Sequence, residues 1–241
     1  MKYGTLYLLP TTLGSPDAAM LIPEGVLEVS RNLLHFIAEN EKNARRYLKH
    51  IGTVHALNEL QFTTLDKRSS AAEVPDICAP LLKGHDMGLI SEAGMPCIAD
   101  PGAIAVSWCH SKGVKVLPCS GPSSILMALI GSGFSGQHFT FHAYLPIDRK
   151  QRQHKLREME REVAKSGYTQ IFMETPFRNE QLLQDILNTC SPGTSLSIAC
   201  SLSTDGELAK SITVAEWKRN QPKLHKKPCV FALGRAAFNF G

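Results

Sequence analysis

Hydrophobic and polar positions along the first half of the chain switch repeatedly between two patterns. Short apolar runs predict strands at residues 3–9, 33–38, 61–65, 87–90 and 114–117. Between and after them, apolar residues recur every three or four positions. This period predicts helices at residues 16–29, 41–51, 71–82, 103–111 and 123–131. Strands that alternate with helices are typical of a mostly parallel sheet covered by helices.

The second half of the chain has a different order of predicted strands and helices. Strands are predicted at residues 138–144, 170–173, 196–200, 209–213 and 229–233, with helices at 151–165, 179–188 and near 215–218. The late strands are joined by little helix, which favours some antiparallel pairing and a mixed sheet. The predicted fold class is therefore α/β, with an N-terminal α/β domain at 1–130 and a C-terminal α/β domain at 137–241. The glycine-rich segment 131–136 is the predicted hinge.

That glycine segment also matches a dinucleotide-binding pattern. Gly131, Gly133 and Gly136 fit G-x-G-x-x-G letter for letter. A dinucleotide fingerprint follows a strand and opens a helix, whereas these glycines follow a predicted helix. We therefore expect them to end that helix and supply the hinge rather than to bind a nicotinamide or flavin cofactor.

Composition is that of a globular protein, with 43% hydrophobic and 20% charged residues. No apolar run approaches the ~20 residues of a membrane helix, so no membrane association is expected. The seven cysteines contain no C-x-x-C pair, which favours reduced thiols and a cytosolic protein. The nine histidines do not cluster at the spacing of metal ligands, and no metal site is expected.

Positive charge is grouped, although the formal net charge is only +4. Three groups stand out: Lys42, Arg45, Arg46 and Lys49; Arg149, Lys150, Arg152, Lys155 and Arg157; and Lys218, Arg219, Lys223, Lys226 and Lys227. Each group alone fits a solvated helix face or loop. Together they make contact with phosphate groups a reasonable hypothesis.

Residues 91–102, Ser-Glu-Ala-Gly-Met-Pro-Cys-Ile-Ala-Asp-Pro-Gly, form the segment richest in chemical information. They follow a predicted strand and precede a predicted helix, the position at which open α/β sheets bind ligands. Small residues allow a ligand to approach the backbone, and Pro96 and Pro101 imply a rigid loop. The residues alone fit either an ordinary connection or a ligand site.

Four separated segments resemble one family. They are residues 6–14 (LYLLPTTLG), 91–102, 118–124 (PCSGPSS) and 171–178 (IFMETPFR). They resemble motifs of the class III, S-adenosylmethionine-dependent methyltransferases of the tetrapyrrole methylase superfamily. Within it the chain is most similar to the bacterial small-subunit ribosomal RNA (cytidine-2′-O-)-methyltransferases of type I. The sequence ends soon after its last predicted strand, where many ribosomal members continue in a helical extension, and Glu92 stands where an aspartate is usual.

The resemblance implies S-adenosyl-L-methionine as cofactor, in the cleft between two domains, and a homodimer. It implies cofactor contacts at Pro10, Ala93, Gly94, Met95, Ile98, Ser123, Ser124, Met173 and Ala199. Arg45, Arg46 and Arg178 are the candidates for contact with substrate. The implied partner is ribosomal RNA or the small ribosomal subunit.

Transfer to a ribose hydroxyl also requires a base. Glu39, Asp100 and Glu174 are the carboxylates in family-like segments, and they remain three alternatives. Asp100 fits equally well as a cap for the helix after Pro101. Two alternatives for the function also remain: methylation of a tetrapyrrole, and a protein that binds the cofactor or RNA without catalysis.

Overall fold

A fully parallel five-stranded sheet forms the first of two compact units in the computed structural model. The model describes residues 2–236, and the chain divides between Ser123 and Ser124. The strands are β1 (Thr5–Leu9), β2 (His35–Ala38), β3 (Gln61–Thr64), β4 (Met87–Ile90) and β5 (Lys115–Pro118). The helices are α1 (Glu24–Asn32), α2 (Glu41–Ile51), α3 (Val74–Ile77), α4 (Ala79–Leu82) and α5 (Ala103–Ser111). The strand order is β3-β2-β4-β1-β5.

Apolar side chains cover both faces of this sheet. Leu6 and Leu8 of β1 belong to one buried cluster, whereas Leu9 belongs to a second cluster with Leu48 of α2. All four residues of β4 are buried. A strand buried on both faces reads as a continuous apolar run, which is why the pattern of hydrophobic residues predicted it well.

The second unit holds a mixed sheet. Its strands are β6 (Phe139–Tyr144), β7 (Thr169–Glu174), β8 (Ser195–Cys200), β9 (Leu208–Thr213) and β10 (Cys229–Gly234), in the order β6-β7-β10-β8-β9. β6 and β7 are parallel, and the other neighbours are antiparallel. Its helices are α6 (Ser124–Ser132), α7 (Arg149–Ser166), α8 (Asn179–Thr189) and α9 (Val214–Arg219). The predicted fold class is confirmed: a parallel sheet is followed by a mixed one.

Helix α6 accounts for the main difference from the predicted domain division. Ile125, Ala128 and Leu129 are buried, and the helix packs against β8, β9 and β10. The division therefore lies before α6, between Ser123 and Ser124, rather than at residues 131–136. Gly131 lies in the last turn of α6, and Gly133, at φ 69°, comes just after the helix. The predicted second domain runs to residue 241, and its last five residues lie outside the described chain.

Two predicted helices change their bounds because of proline. The helix predicted at 16–29 begins only after Pro23, its N-cap residue, and continues to Asn32. The helix predicted at 71–82 is divided into α3 and α4, each with a proline in its first turn. No helix within residues 2–236 is both long and apolar enough to cross a membrane.

Candidate functional site

The carboxyl edge of the parallel sheet contains a topological switch point. The chain leaves β1 for β2, which lies beyond β4, and it leaves β4 for β5, which lies beyond β1. The two connections run in opposite directions from neighbouring strands, so a crevice opens between their ends. Ligands of open α/β sheets bind in such a crevice. The loops that border it begin at Pro10 and at Ser91.

These two loops are joined by hydrogen bonds in a buried position. The Thr11 N–H donates to the Gly94 carbonyl at 3.0 Å, and the Thr11 hydroxyl donates to the Ser91 carbonyl at 3.3 Å. The Ser91 hydroxyl also donates to the Gly94 carbonyl. Thr11 and Ser91 are both buried. The loop after β4 is therefore held at a fixed position beside the loop after β1.

Two glycines permit a close approach from the loop after β5. Gly94 has φ 73°, and a Cβ atom there would lie 2.9 Å from the Pro122 carbonyl oxygen. A Cβ atom on Gly121 would lie 2.3 Å from the ring of Pro10. Neither position has room for a side chain, and Gly94 also needs the left-handed backbone region. The three loops therefore form one close-packed rim.

Part of the loop after β4 leaves backbone donors available. Within residues 2–236, the N–H groups of Ala93, Gly94 and Met95 form no hydrogen bond. Unpaired backbone N–H groups next to small side chains are suited to hold an anionic or polar ligand group. These three residues are among those that the resemblance associates with the cofactor. Ile98, a fourth, is exposed.

Asp100 stabilises the loop itself. Its carboxylate accepts hydrogen bonds from the Cys97 N–H at 2.9 Å and from the Gly102 N–H at 2.8 Å. Cys97 and Ala99 have φ values of 66° and 62°, a region that side chains disfavour. The carboxylate thus fastens a strained turn just before α5. Of the two interpretations of Asp100, the structure favours the structural one.

Glu39 is in a different situation at the end of β2. Burial and the nearby charge of Asp100 raise the pKa of its carboxyl, a further increase comes from Glu92, and Lys67 partly opposes the shift. A carboxylate with a raised pKa is a stronger proton acceptor than an ordinary one. Glu39 therefore combines a place at the carboxyl edge with a property that general bases need.

Glu174, the third candidate, is buried at the end of β7. Its carboxylate accepts hydrogen bonds from the Arg178 guanidinium and the Thr175 N–H, both at 2.6 Å. The carboxylate is thereby neutralised by Arg178, whose Nη2 is bound to Glu174 while its buried Nε has no hydrogen-bond partner within the described residues. The pair fixes the turn that follows β7, which makes a structural role the simpler one for both residues.

An open cleft of about 420 Å³ adjoins the loops after β1 and β4. Its lining includes Thr12, Arg46, His50, Ile90 and Glu92. Asn43 connects the two charged residues, because its amide donates to Glu92 at 2.6 Å and its carbonyl accepts from Arg46 at 3.1 Å. The cleft therefore presents a cation and an anion held a fixed distance apart.

Arg45, predicted as a substrate contact beside Arg46, instead contacts residues of its own helix and of the segment before β3. Its guanidinium donates to Glu41 at 2.7 Å and to the carbonyls of Leu57 and Leu60, and it lies 4.5 Å from the ring centre of Phe62. The side chain thus anchors the segment before β3. Arg45 therefore has a structural role, whereas Arg46 lines the cleft.

The second basic group is also partly structural. Arg152 is buried, and its guanidinium contacts Asp185 of α8 at 2.6 Å and the carbonyls of Pro146 and Ile147. It occupies a core-facing position of α7, in line with Leu156. Contact with a phosphate group is therefore excluded for Arg152, and the phosphate hypothesis for this group is weakened.

In the second unit, Met173 and Ala199 lie in one row across the sheet. Both are in register with Val230 of β10, so their side chains share a face. That face is opposite the one on which Phe172 and Phe231 stack at 5.8 Å. Ala199 is buried and Met173 is half-buried. Ser124 begins α6 in the same unit.

Comparison with known proteins identifies the family, although no family model matches the chain. A relative in Vibrio cholerae, named ribosomal RNA small subunit methyltransferase I, is 31% identical over 217 residues, which are 88% of this chain and 69% of the relative. The chain belongs to this family. Relatives with the same name in Buchnera aphidicola and Escherichia coli O157:H7 are 28% and 29% identical over 94% and 88% of the chain, and these matches cover 76% and 70% of the relatives.

Solved structures agree on the fold of this family member. A uroporphyrin-III-C-methyltransferase from Thermus thermophilus has a TM-score of 0.54 and covers 97% of this chain and 95% of its own. The methyltransferase CobJ has a TM-score of 0.60, with 100% and 98% covered. Both are 15% identical to this chain, so they bear on the fold alone.

Some residues of the rim were not predicted. Thr11 and Asn43 hold the loops and the charges of the cleft together, and Tyr47 donates from its hydroxyl to the Pro10 carbonyl at 3.2 Å. Thr11 carried a signal, since a polar residue directly after a buried strand is a common ligand position. Asn43 and Tyr47 lie within the amphipathic helix α2, and nothing in the sequence pattern distinguishes them.

Proposed function

We propose that this protein is an S-adenosylmethionine-dependent methyltransferase that modifies the 2′-hydroxyl of a ribose in small-subunit ribosomal RNA. The observation that carries the proposal is the 31% identity, over 88% of the chain, to the named Vibrio cholerae relative. The crevice at the switch point between β1 and β4 supports it. The finer parts of the proposal, which are the cofactor, the reacting atom and the residues, rest on the following arguments.

The rim fits the methyl donor. A cradle that excludes side chains at Gly94 and Gly121 leaves backbone surface for close approach. The unpaired N–H groups of Ala93, Gly94 and Met95 suit the carboxylate of its methionine part. Pro10, Ile98, Ser123, Ser124, Met173 and Ala199 remain predicted contacts on the resemblance.

When bound, S-adenosylmethionine supplies a methyl group already activated by its sulfonium. The chain has to hold the ribose hydroxyl in line with that group, an effect that contributes up to roughly 7–11 kcal/mol in favourable cases. It also has to take up the hydroxyl proton as the oxygen attacks. We assign this proton to Glu39, because its pKa is raised and the other two carboxylates are occupied.

The cleft at Arg46 is our candidate for the acceptor. The Arg46 guanidinium is suited to a phosphate next to the modified ribose, and Glu92 to a donor group of the nucleotide. The fixed link through Asn43 sets the spacing of these two contacts. Arg178, bound to Glu174, is less suited to bind a phosphate.

The experiment is a methylation assay with a tritiated methyl donor. Small ribosomal subunits that lack the modification, free ribosomal RNA and a porphyrinoid are offered in parallel. We expect label in RNA, recovered after alkaline hydrolysis in a dinucleotide that resists cleavage, because a methylated 2′-oxygen cannot attack the adjacent phosphate.

Three other outcomes contradict this proposal in different ways. Label in cleavable nucleotides would move the acceptor from the ribose to a base. Label only in the porphyrinoid would establish the tetrapyrrole alternative. Tight cofactor binding without transfer to any of the three would favour a non-catalytic protein. The homodimer and the cytosolic location stay predictions, and sedimentation velocity checks the first.

A further inference from the structure

An exposed aromatic ring stands at a turn of the second unit. The Arg178 N–H donates to the Thr175 carbonyl at 2.9 Å, which closes a turn over residues 175–178 with Pro176 at its second position. The Glu174–Arg178 ion pair fixes the turn on one side. Phe177 at its third position is 71% exposed. The ring is thus held in solvent on a firmly fixed backbone, where it is available to a partner.

A basic loop is attached to that turn. The Lys226 N–H donates to the Pro176 carbonyl at 3.0 Å, and the Asn179 amide donates to the Lys227 carbonyl at 2.6 Å. The ring of His225 meets that of Phe177 edge-on, with ring centres 6.2 Å apart. Leu224 is fully buried, so the loop is anchored rather than loose.

The charges of this loop form no close ion pair within the described chain, although Glu216 of α9 interacts electrostatically with Arg219. Residues 218–228 contain five lysines and arginines and no acidic residue. Within the described part of the chain, none of the five is within 4.0 Å of a carboxylate. Glu180 is the acid at the base of the loop, where it accepts a hydrogen bond from the His225 N–H at 3.3 Å. Lys223, Lys226 and Lys227 are exposed.

We infer that Phe177 and Lys223, Lys226 and Lys227 form a platform for single-stranded RNA, on which one unpaired base stacks against the Phe177 ring while the lysines contact the adjacent phosphates. Single strands are bound by an exposed aromatic face combined with a cationic track. A single ring surrounded by cations does not offer the contiguous apolar area that a protein partner needs. The inference deepens the proposed function, on which it rests for the identity of the RNA as substrate.

The first test measures binding alone, without cofactor or catalysis. Fluorescence anisotropy is recorded with a labelled single-stranded RNA oligonucleotide of mixed sequence, and with the same oligonucleotide annealed to its complement. Phe177→Ala should weaken single-strand binding about tenfold, and Phe177→Tyr should restore it. Substituting Lys223, Lys226 and Lys227 together by Gln should lower the slope of log K against log salt by about 2.

Matched controls exist on other surfaces. Tyr168 is an exposed ring stacked on His138 at 4.6 Å in the same unit, and Tyr168→Ala should leave RNA affinity unchanged. Lys83, Lys112 and Lys115 are exposed near the amino edge of the first sheet, and their joint replacement by Gln should change the salt slope far less. Phe177→Trp adds a reporter whose fluorescence should be quenched when a base stacks.

A second test separates this inference from the proposed function. In the methylation assay, Phe177→Ala should raise KM for RNA about tenfold with kcat and cofactor affinity unchanged. If Phe177→Ala is active and neither its RNA affinity nor its KM for RNA changes, the inference about the platform is overturned and the proposed function stands. If the protein methylates no RNA but Phe177→Ala still weakens RNA binding, the proposed function is contradicted and the inference about the platform stands. A shift in sedimentation of Phe177→Ala, without loss of RNA binding, would assign the ring to a protein contact and overturn the inference.

Discussion

The two edges of the parallel sheet carry clefts of nearly equal size and different chemistry. The cleft at the carboxyl edge measures about 420 Å³, and the one at the amino edge about 410 Å³. The amino-edge cleft is lined by Tyr7, His35, His85 and Asp86, which make it as rich in titratable groups as the other. Volume and composition alone do not distinguish the two.

The two edges differ in their backbone donors and in the state of one carboxylate. At the amino edge, Asp86 accepts the Thr5 N–H at 2.6 Å, and the rings of His35 and His85 lie 5.0 Å apart. At the carboxyl edge the N–H groups of Ala93, Gly94 and Met95 are unpaired among the described residues, and burial and the charge of Asp100 raise the pKa of Glu39. The switch point between β1 and β4 is what separates the edges. Topology, rather than cavity size, is the reason we propose the carboxyl edge as the functional side of this sheet.

The largest expected effect comes from removing the proposed base. Glu39→Gln should lower kcat/KM for RNA about 10²- to 10⁴-fold, because the ribose proton then has no positioned acceptor. The variant should also lose the acid limb of the pH profile. His85→Gln, at the other edge, should leave kcat/KM unchanged. Full activity of Glu39→Gln would remove Glu39 from the mechanism.

A glycine pair tests the rim itself. Gly94 and Gly167 both have a positive φ, at 73° and 77°, and Gly167 is in the left-handed region, but only Gly94 would direct a Cβ atom at a neighbour. The positive φ should cost each Ala variant roughly 1–2 kcal/mol of unfolding free energy, and the close contact with the Pro122 carbonyl should add to the cost of Gly94→Ala. Gly94→Ala should in addition weaken cofactor binding at least about tenfold, equivalent to ~1.4 kcal/mol. Calorimetric titration with the cofactor checks this, and equal affinity in both variants would argue against a rim site.

A smaller effect is expected on the pH of the acid limb of kcat/KM. Removing the charges around Glu39 should shift this limb in opposite directions. Lys67 lowers the pKa of Glu39 and Glu92 raises it. Lys67→Gln should therefore move the acid limb of kcat/KM to higher pH, and Glu92→Gln should move it to lower pH. Lys115→Gln at the amino edge serves as the control and should move neither. Shifts of the same sign in both variants would show that another group controls the limb.

The smallest effect concerns stability at the amino edge. Burial and then the neighbouring His85 lower the pKa of His35 below its ordinary 6.5. The folded state thus binds fewer protons than the unfolded one, so stability is complete above about pH 6.5 and falls as pH drops toward the lowered pKa. His35→Gln should reduce the loss of Tm between about pH 7.5 and pH 5 while leaving the pH profile of activity in place. An unchanged loss of Tm would place the acid sensitivity elsewhere.

Much of the fold could be predicted from the period of the hydrophobic residues. The bounds of α2 and α5 agree with the predicted ranges. Helix α2 has one apolar stripe, formed by Ala44, Leu48 and Ile51. Helix α5 has clear ends instead, because Pro101 and Gly102 precede it and Gly113 follows it. Helix α6 is apolar around most of its surface, so its sequence does not indicate which sheet covers it. The domain division was misplaced for that reason.

The loops of the candidate site could be predicted from their sequence motifs. The roles of individual charged residues could not, because these depend on which hydrogen-bond and ion-pair partners each residue has in the fold. Arg152 and Arg45 belong to basic groups, yet their partners are Asp185, 33 residues away, and carbonyls 12 and 15 residues away. A partner so distant along the chain is invisible to a local pattern. The same holds for Glu39, whose pKa is raised first by burial and then by the charge of Asp100, 61 residues away.

The strand order of the second sheet has a consequence for how the chain folds. Strand β10 is made after all the others, yet it lies in the middle, between β7 and β8. Until Cys229–Gly234 has been synthesised, β7 and β8 each have an unpaired edge, and the stack of Phe172 on Phe231 is missing. The first sheet, whose strands all precede residue 119, can close earlier. The two units therefore mature at different times during synthesis, and the second must protect open strand edges until its central strand arrives.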